Sequence, residues 1–358
     1  MFFLASYAKY ILPLVTMVFF ATGLLFPSTL IAADDSSNML QTNILKNRKV
    51  HRFIDEMVMR HNYPREQLLA LMAKVRFMPE LLGRLSKPAE ALPWYQYRAI
   101  FLTPERIDEG VRFRYAHKDA LARAEEVYGV PAKVIVAILG VETYFGRRKG
   151  KYPVLDSLVT LAFQSSMRTD FFRSELEQFL LLVNEEKRLD ANELKGSYAG
   201  AMGLPQFISS SYRRYAVDFD GDNRRDLFNN IADAIGSAAH YLAEHGWQRG
   251  RGITVPVEVD EVAIVTDDLL MKRKGSPPHI AFSALRDHGV VANDAMAKVE
   301  IPDDEKVALI ELEMKTGFVY WVGLQNFYTI TRYNHSNLYA MAVHQLAEVI
   351  HERYLQRK

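Results

Sequence analysis

The sequence predicts a mainly α-helical protein that carries a small antiparallel β unit late in the chain. Three observations predict it. Apolar residues recur at three- and four-residue steps from Lys46 to Glu126 and again from Gly129 to Gly196, which is the helical period. From Ile253 the period falls to two: Thr254, Pro256 and Glu258 alternate with Val255, Val257 and Val259, and later Ala308, Ile310, Leu312 and Met314 alternate with Val307, Leu309, Glu311 and Glu313. Lys315-Thr316-Gly317 then reads as a turn, with Phe318 to Gly323 as the returning strand.

Taken in order, the elements have local reasons. Phe53, Met57 and Met59 with His61 open one amphipathic segment, and Gln67, Leu68, Leu71 and Met72 continue the helical step, with Pro64 where a first turn accepts it. Ser86-Lys87-Pro88 and Leu92-Pro93 punctuate the region. Trp94, Tyr95, Tyr97 and Phe101 crowd one stretch; such rings can stack on sugars, but clusters of this kind more often fill a core. Pro131 marks the first turn of an apolar helix, and Gly146 with Arg147-Arg148-Lys149 follows its end, as the negative end of a helix dipole prefers. Leu338 to Arg353 reads as a closing helix.

Composition narrows the class. The chain has 358 residues, 49% hydrophobic and 24% charged, enough for two or three compact units. Ile11 to Phe26 is almost wholly apolar, Lys9 is the only charge before Asp34, and Ala32-Ala33-Asp34-Asp35 follows, which reads as a secretory signal cleaved near Ala32 or Ala33. An uncleaved membrane anchor is the alternative, since the run is nearly long enough to span. Without residues 1–33 the chain is formally neutral, so no basic field invites nucleic acid. The absence of cysteine excludes a disulfide scaffold, a thiolate zinc site and a lipidated cysteine.

Three segments point to chemistry. Glu142 ends the apolar run from Val134 to Val141. Desolvation there disfavours the carboxylate, so its pKa is expected to rise, the requirement for a general acid in glycosidic cleavage. The second segment, Lys195 to Phe207, holds Gly196, Gly200 and Gly203 with Ala199 and Ala201, which allow close backbone approach. Ser197 and Gln206 in it offer hydrogen bonds suited to hydroxyl and acetamido groups, and a tight interhelical turn is the plainer reading. The third, Asn326 to Ser336, alternates aromatic and polar side chains, as a pyranose would need and as a strand running into a turn would also show.

Glu142 in Gly-Val-Glu-Thr, the Gly196–Phe207 segment and Tyr333-Asn334-His335-Ser336 occur in order at suitable separations. Together they resemble the B-type membrane-bound lytic murein transglycosylases, from roughly residue 48 to the end of the chain. The resemblance implies a lysozyme-like helical core with an added helical domain and a small β-domain. It implies cleavage of the β-1,4 bond between N-acetylmuramic acid and N-acetylglucosamine, with Glu142 as the one catalytic acid and base and a 1,6-anhydro product. It also implies that Ser197, Gln206, Tyr333, Asn334 and Tyr339 line the glycan groove. An arginine pair usual after the catalytic helix is reduced here to Arg168, with Met167 beside it.

Asp218-Phe219-Asp220-Gly221-Asp222 matches the opening of an EF-hand loop, with a carbonyl expected from Arg224 and carboxylates from Asp226 and from Asp233. Gly221 falls at the fourth place, Asn223 at the sixth and Asn229 at the twelfth, where the loop pattern has a glycine and a glutamate; Asp233 alternatively caps a helix starting at Ala234. A structural Ca²⁺ is the expected cofactor, with no organic one.

The expected organisation is a leader over residues 1–33, a helical domain over 34–125, a lysozyme-like core with the EF-hand-like loop over 126–252, a β-domain over 253–325 and a return to the core over 326–358. A periplasmic monomer acting on peptidoglycan strands is expected, with inner- or outer-membrane association open. A lysozyme-type hydrolase would need a second carboxylate, for which Asp156 and Asp170 are acidic residues nearby in sequence, and an intact Glu142 motif argues against a non-catalytic glycan-binding protein.

Overall fold

The computed structural model describes residues 44–84, 92–186, 188–260, 265–292 and 301–357. The leader expected over residues 1–33 and the Ser86-Lys87-Pro88 break lie outside them. No helix among the described residues is long and apolar enough to cross a membrane.

The first helices are α1 (Arg48–His61), α2 (Arg65–Lys74), α3 (Trp94–Phe101), α4 (Pro104–Ala116) and α5 (Lys118–Tyr128). Asn47 caps α1 through its side chain, and Asn62 ends it in the left-handed conformation. Val50, Phe53, Ile54 and Met57 form the buried face of α1, but Met59 is 78% exposed, because two residues beyond Met57 a helix has turned away from the core. Trp94, Tyr97 and Phe101 are fully buried on one face of α3, so that cluster is core.

Helix α6 (Ala132–Thr143) is the centre of the molecule. Every residue from Val134 to Val141 is buried, because the helix is covered by α4, α5, α10 (Ile231–Glu244) and α13 (Asn337–Gln356). A helix covered all round must be apolar all round, which is why the sequence there lacks an amphipathic stripe. Each large aliphatic side chain buried this way contributes roughly 1.5–3 kcal/mol. Helices α7 (Val154–Gln164), α8 (Thr169–Glu185), α9 (Ser209–Tyr215) and α12 (Gln325–Tyr333) complete the helical part. A two-stranded pair, β1 (Tyr152–Pro153) with β2 (Lys195–Gly196), ties the chain after α6 to the glycine-rich segment.

The late β unit is a five-stranded sheet in the order β4-β6-β7-β3-β5, with every named pairing antiparallel. Its strands are β3 (Thr254–Val259), β4 (Ile280–Ala281), β5 (Val290–Ala292), β6 (Lys306–Glu313) and β7 (Phe318–Gly323), with α11 (Phe282–Asp287) against it. The hairpin is the one the sequence predicts: Ala308 pairs with Gly323 and Glu313 with Phe318 around a turn at Gly317, φ 70°. Both alternating columns of β6 are apolar for a reason. Ala308, Ile310 and Leu312 join the large helical core, while Val307 and Leu309 join a smaller core with Val255, Val257, Val322 and Phe282.

One local expectation fails. Residues 325–333 form helix α12, not a strand running into a turn. Asn326 inside it is fully buried; its amide accepts from Gln248 N at 2.7 Å and donates to the Gln248 and Arg251 carbonyls, each at 2.9 Å. A polar residue occupies a core position there because distant backbone satisfies it.

Candidate active site

Glu142 is the penultimate residue of α6, half-buried where the residues before it are sealed. The helix stops at once: Tyr144, Phe145 and Gly146 all have positive φ (52°, 59° and 88°), and the amides of Tyr144 and Phe145 bond back to Gly140 and Leu139. The break is held by packing. The Phe145 ring lies where a Cβ on Gly140 would sit, 2.6 Å from its edge, so glycine is needed within the helix. Thr143 adds a polar lock. Its buried hydroxyl donates to Leu204 O at 2.9 Å and accepts from Gly146 N at 3.0 Å, which fixes the helix end against the 197–207 loop.

Tyr339 comes to Glu142 from α13. Ser336 caps that helix by accepting from Tyr339 N at 3.2 Å, and the Tyr339 hydroxyl donates to Glu142 Oε1 at 2.6 Å. Tyr333 stacks on Tyr339 with ring centres 6.3 Å apart and donates to Pro205 O at 2.7 Å. Burial, and after it the Glu142 charge, push both phenols well above the usual tyrosine range, so they stay protonated donors. Tyr241 completes the aromatic wall. Its ring is 4.8 Å from Tyr333 and its hydroxyl donates to Arg332 O at 2.7 Å. Burial raises this phenol too, with Glu142 among the charges that reach it. No sequence motif marks Tyr241; Thr143 stood inside the glutamate motif, but only its partners reveal the lock.

The glycine-rich segment supplies the opposite side. Ser197 is buried and its hydroxyl accepts from Ala199 N at 3.2 Å and Ala201 N at 2.9 Å, so it organises the loop. Gln206, at φ 52°, donates its amide to Gly203 O at 2.9 Å and Lys149 O at 3.2 Å. Among the described residues its Oε1 takes no donor, so the oxygen is what it can offer a ligand. Gly150, at φ 98°, lets Lys149 and Lys151 pass this loop, because a Cβ there would overlap the Gly196 carbonyl. Asn334 is buried between α12 and α13.

The structure therefore brings Glu142, Tyr339 and Tyr333 together, with Gln206 and Ser197 on the facing loop. Arg168 stands apart from the carboxyl. It caps α8 at φ 56°, its guanidinium lies 4.2 Å from the Phe171 ring centre, and the charges that reach it are Glu175 and Tyr198. Asp156 is buried in the first turn of α7 and accepts from Arg76 N at 3.1 Å; burial pushes it above the usual carboxylate range. It holds a chain crossing in place. Asp170 is exposed in the first turn of α8.

The acidic loop has a metal-like shape. Oxygen atoms of Asp218, Asp220 and Asp222 all lie within 4.8 Å of one another. Asn223 takes the left-handed turn at φ 63°, as its short amide side chain allows. Asp218 accepts the amides of Gly221 at 2.7 Å and Asn223 at 2.7 Å, and slight burial that would raise its pKa is outweighed by these bonds, which hold it below the usual range. Three hard oxygen donors this close suit Ca²⁺. The late residues are placed otherwise. Asp226 accepts from Phe228 N and Asn229 N. Asp233 neither caps a helix nor joins the cluster: α10 starts at Ile231 under Asn230, and Asp233 accepts from Phe219 N at 2.7 Å and Asp226 N at 2.8 Å. Burial pushes Asp233 up to about 6, opposed by those two bonds, with Asp220 and Asp218 adding to the rise. Arg224 turns its side chain toward Asp222, 3.9 Å away.

Residues 46–348 match the family described as Transglycosylase SLT domain. Membrane-bound lytic murein transglycosylase B of Escherichia coli K12 is 38% identical over 336 residues, 90% of this chain and 89% of that protein. The structure of the Escherichia coli lytic transglycosylase Slt35 in complex with calcium superposes with a TM-score of 0.77 at 39% identity, covering 86% of this chain and 94% of that one. SltB3 from Pseudomonas aeruginosa in complex with NAG-anhNAM-pentapeptide superposes at 0.72 with 28% identity, covering 85% of this chain and 80% of that one.

Proposed function

The chain belongs to the SLT-domain transglycosylase family and is a lytic transglycosylase of lysozyme-like fold, and from that premise we propose that Glu142 performs both proton transfers of the cleavage. The reaction begins with Glu142 protonating the glycosidic oxygen between N-acetylmuramic acid and N-acetylglucosamine as the C1–O bond breaks. The positive centre is stabilised by the substrate's own acetamido oxygen. Glu142, now a carboxylate, takes the proton from the C6 hydroxyl as O6 closes on C1. The carboxyl ends as it began, water is not consumed, and the muramic end leaves as a 1,6-anhydro sugar.

One observation carries the reading: the 2.6 Å bond from Tyr339 to Glu142 Oε1, inside a wall of protonated phenols. A fixed donor on one oxygen sets the plane of the carboxyl and supports the anion between the two transfers. The other roles follow from position. The Gln206 Oε1 accepts from a sugar hydroxyl or acetamido N–H. Tyr333 and Asn334 line the saccharide beside it and Ser197 shapes the loop that meets it, whereas Arg168, set against Phe171 and apart from Glu142, gains no substrate role from its position. The anhydro product is supported by the ligand of the SltB3 complex.

A structural calcium belongs to the same proposal. Asp218, Asp220 and Asp222 would hold it with the Arg224 carbonyl, and the ion would neutralise charges that otherwise repel. Support comes from the donor cluster and from the calcium in the Slt35 relative. The proposed place of action is the bacterial envelope, where the relatives' substrate lies, consistent with the export signal read in the sequence. Incubated with purified sacculi, the protein is expected to release soluble muropeptides; sacculi left insoluble by a folded sample would remove the assignment.

A further inference from the structure

The chain leaving α6 passes Gln206 on its way to β1. Residues 147–149 run between two glycines in the left-handed region, Gly146 at φ 88° and Gly150 at φ 98°, so the backbone is permissive at both ends. The first two residues are tied back to the helix end: Arg147 N donates to Tyr144 O at 3.3 Å and Arg148 N to Thr143 O at 2.8 Å. Lys149 is tied elsewhere. Its Nζ donates to Phe228 O at 2.6 Å, across 79 residues of sequence. Lys149 and Phe228 both border a cavity of about 740 Å³, so side-chain packing does not fix the segment on that face.

The anchor is firm. Phe228 stands at the far end of the EF-hand-like loop, where Tyr212 of α9 accepts from Leu227 N at 3.1 Å and Asp233 of α10 accepts from Asp226 N at 2.8 Å. Leu227 O accepts from Leu204 N at 2.8 Å, which joins the same stretch to the loop that carries Gln206. Gln206 needs such support. Its backbone is left-handed at φ 52°, a conformation that a side chain disfavours and that the surroundings must hold. Two carbonyls take the donors of its amide, Gly203 O at 2.9 Å and Lys149 O at 3.2 Å. Half a turn of the amide would set its oxygen against both of them, so Oε1 stays directed away from the pair.

We propose that Lys149 is a positioning residue for the glycan: its ammonium fastens the 146–150 segment to Phe228, its carbonyl then fixes the Gln206 amide, and Oε1 is thereby presented to the saccharide. Lys149 acts through Gln206 and needs no contact with substrate. The proposal rests on the reading above in which Gln206 Oε1 accepts from a sugar.

Lys149→Met keeps the aliphatic stem at this half-buried position and removes the donor. On soluble glycan strands it is expected to raise KM about tenfold with kcat unchanged, because a contact made alike in the ground and transition states is lost. Lys149→Arg keeps a charged donor and is expected to restore most of the affinity. Added to Gln206→Leu, Lys149→Met should raise KM no further, whereas a merely structural loss would contribute its own factor. Independently of turnover, NMR of the side-chain amides, assigned with Gln206→Leu, should show the Gln206 Nε2 protons shifted and exchanging faster with water in Lys149→Met. An unchanged Gln206 amide signal, or a KM that rises by the same factor with and without Gln206, overturns the proposal. A loosened amide with KM unchanged would sustain the tether and sink the saccharide role of Gln206 instead, so the two failures are separable.

Discussion

Glu142→Gln is expected to remove nearly all strand cleavage while leaving the melting temperature unchanged. Glutamine has the same shape, and its amide oxygen can still accept from the Tyr339 hydroxyl, so the wall around it need not move. What it lacks is a proton to give and a site to take one back. General acid–base catalysis by one group contributes roughly 10²–10⁴-fold, and here the breaking of the glycosidic bond and the closing of the anhydro ring both pass through the same carboxyl. The loss should appear in kcat with KM little changed, because a group that acts only in the transition state adds little to ground-state binding. A folded Glu142→Gln protein that keeps more than a tenth of wild-type turnover would show that another group carries the chemistry.

Calcium has the next largest expected effect, on stability. A ligand that binds only the folded state adds about 2.7 kcal/mol when present at a hundred times its dissociation constant. The EF-hand-like loop is a self-repelling cluster without a cation, since oxygens of Asp218, Asp220 and Asp222 lie within 4.8 Å of one another. The melting temperature should therefore rise by a few degrees between chelator and millimolar calcium. Asp218→Ala combined with Asp222→Ala should abolish the rise. The affinity is expected to be modest, because Asn229 stands where a bidentate glutamate would close the loop and Asp233 is already bonded to two backbone amides. Melting curves that coincide with and without calcium would exclude the site.

The parts of the fold that were legible in the sequence are those whose side chains face one kind of surroundings. Helix α6 is covered on every side, so its apolar run could mean little else, and Glu142 stood out as the one carboxyl at its end. The β6–β7 hairpin was legible because a sheet demands period two. Helix α12 was not, because its buried Asn326 is paid for by the backbone of Gln248 and Arg251, which lie more than seventy residues away in sequence. Asp233 misled for the same reason. A carboxylate near acidic neighbours looks like a ligand, and only the fold shows that the Phe219 and Asp226 amides occupy it. Ser197 and Gln206 were expected to face a ligand, and the partners they have in the fold are backbone atoms of the loop that they shape and of Lys149. Tyr241 was missed outright, since a tyrosine in an apolar helix carries no signal until its neighbours are known.

In the proposed reaction one carboxyl does both transfers, and the C6 hydroxyl, not water, captures the broken bond. Of the two carboxylates that the sequence offered as a hydrolytic partner, Asp156 is taken up by Arg76 N and Asp170 is an exposed residue of a helix start. The C6 hydroxyl is tethered to the reacting sugar, and tethering of a well-oriented group is worth effective concentrations of roughly 10⁵–10⁸ M, far beyond that of bulk water. Mass spectrometry of wild-type digests of purified sacculi decides the matter, because hydrolysis adds one water to each new muramic end and ring closure adds none. Soluble fragments are expected to end almost entirely in 1,6-anhydromuramic acid. Fragments that carry the added water would contradict it and move the protein to the hydrolytic, lysozyme-type reaction.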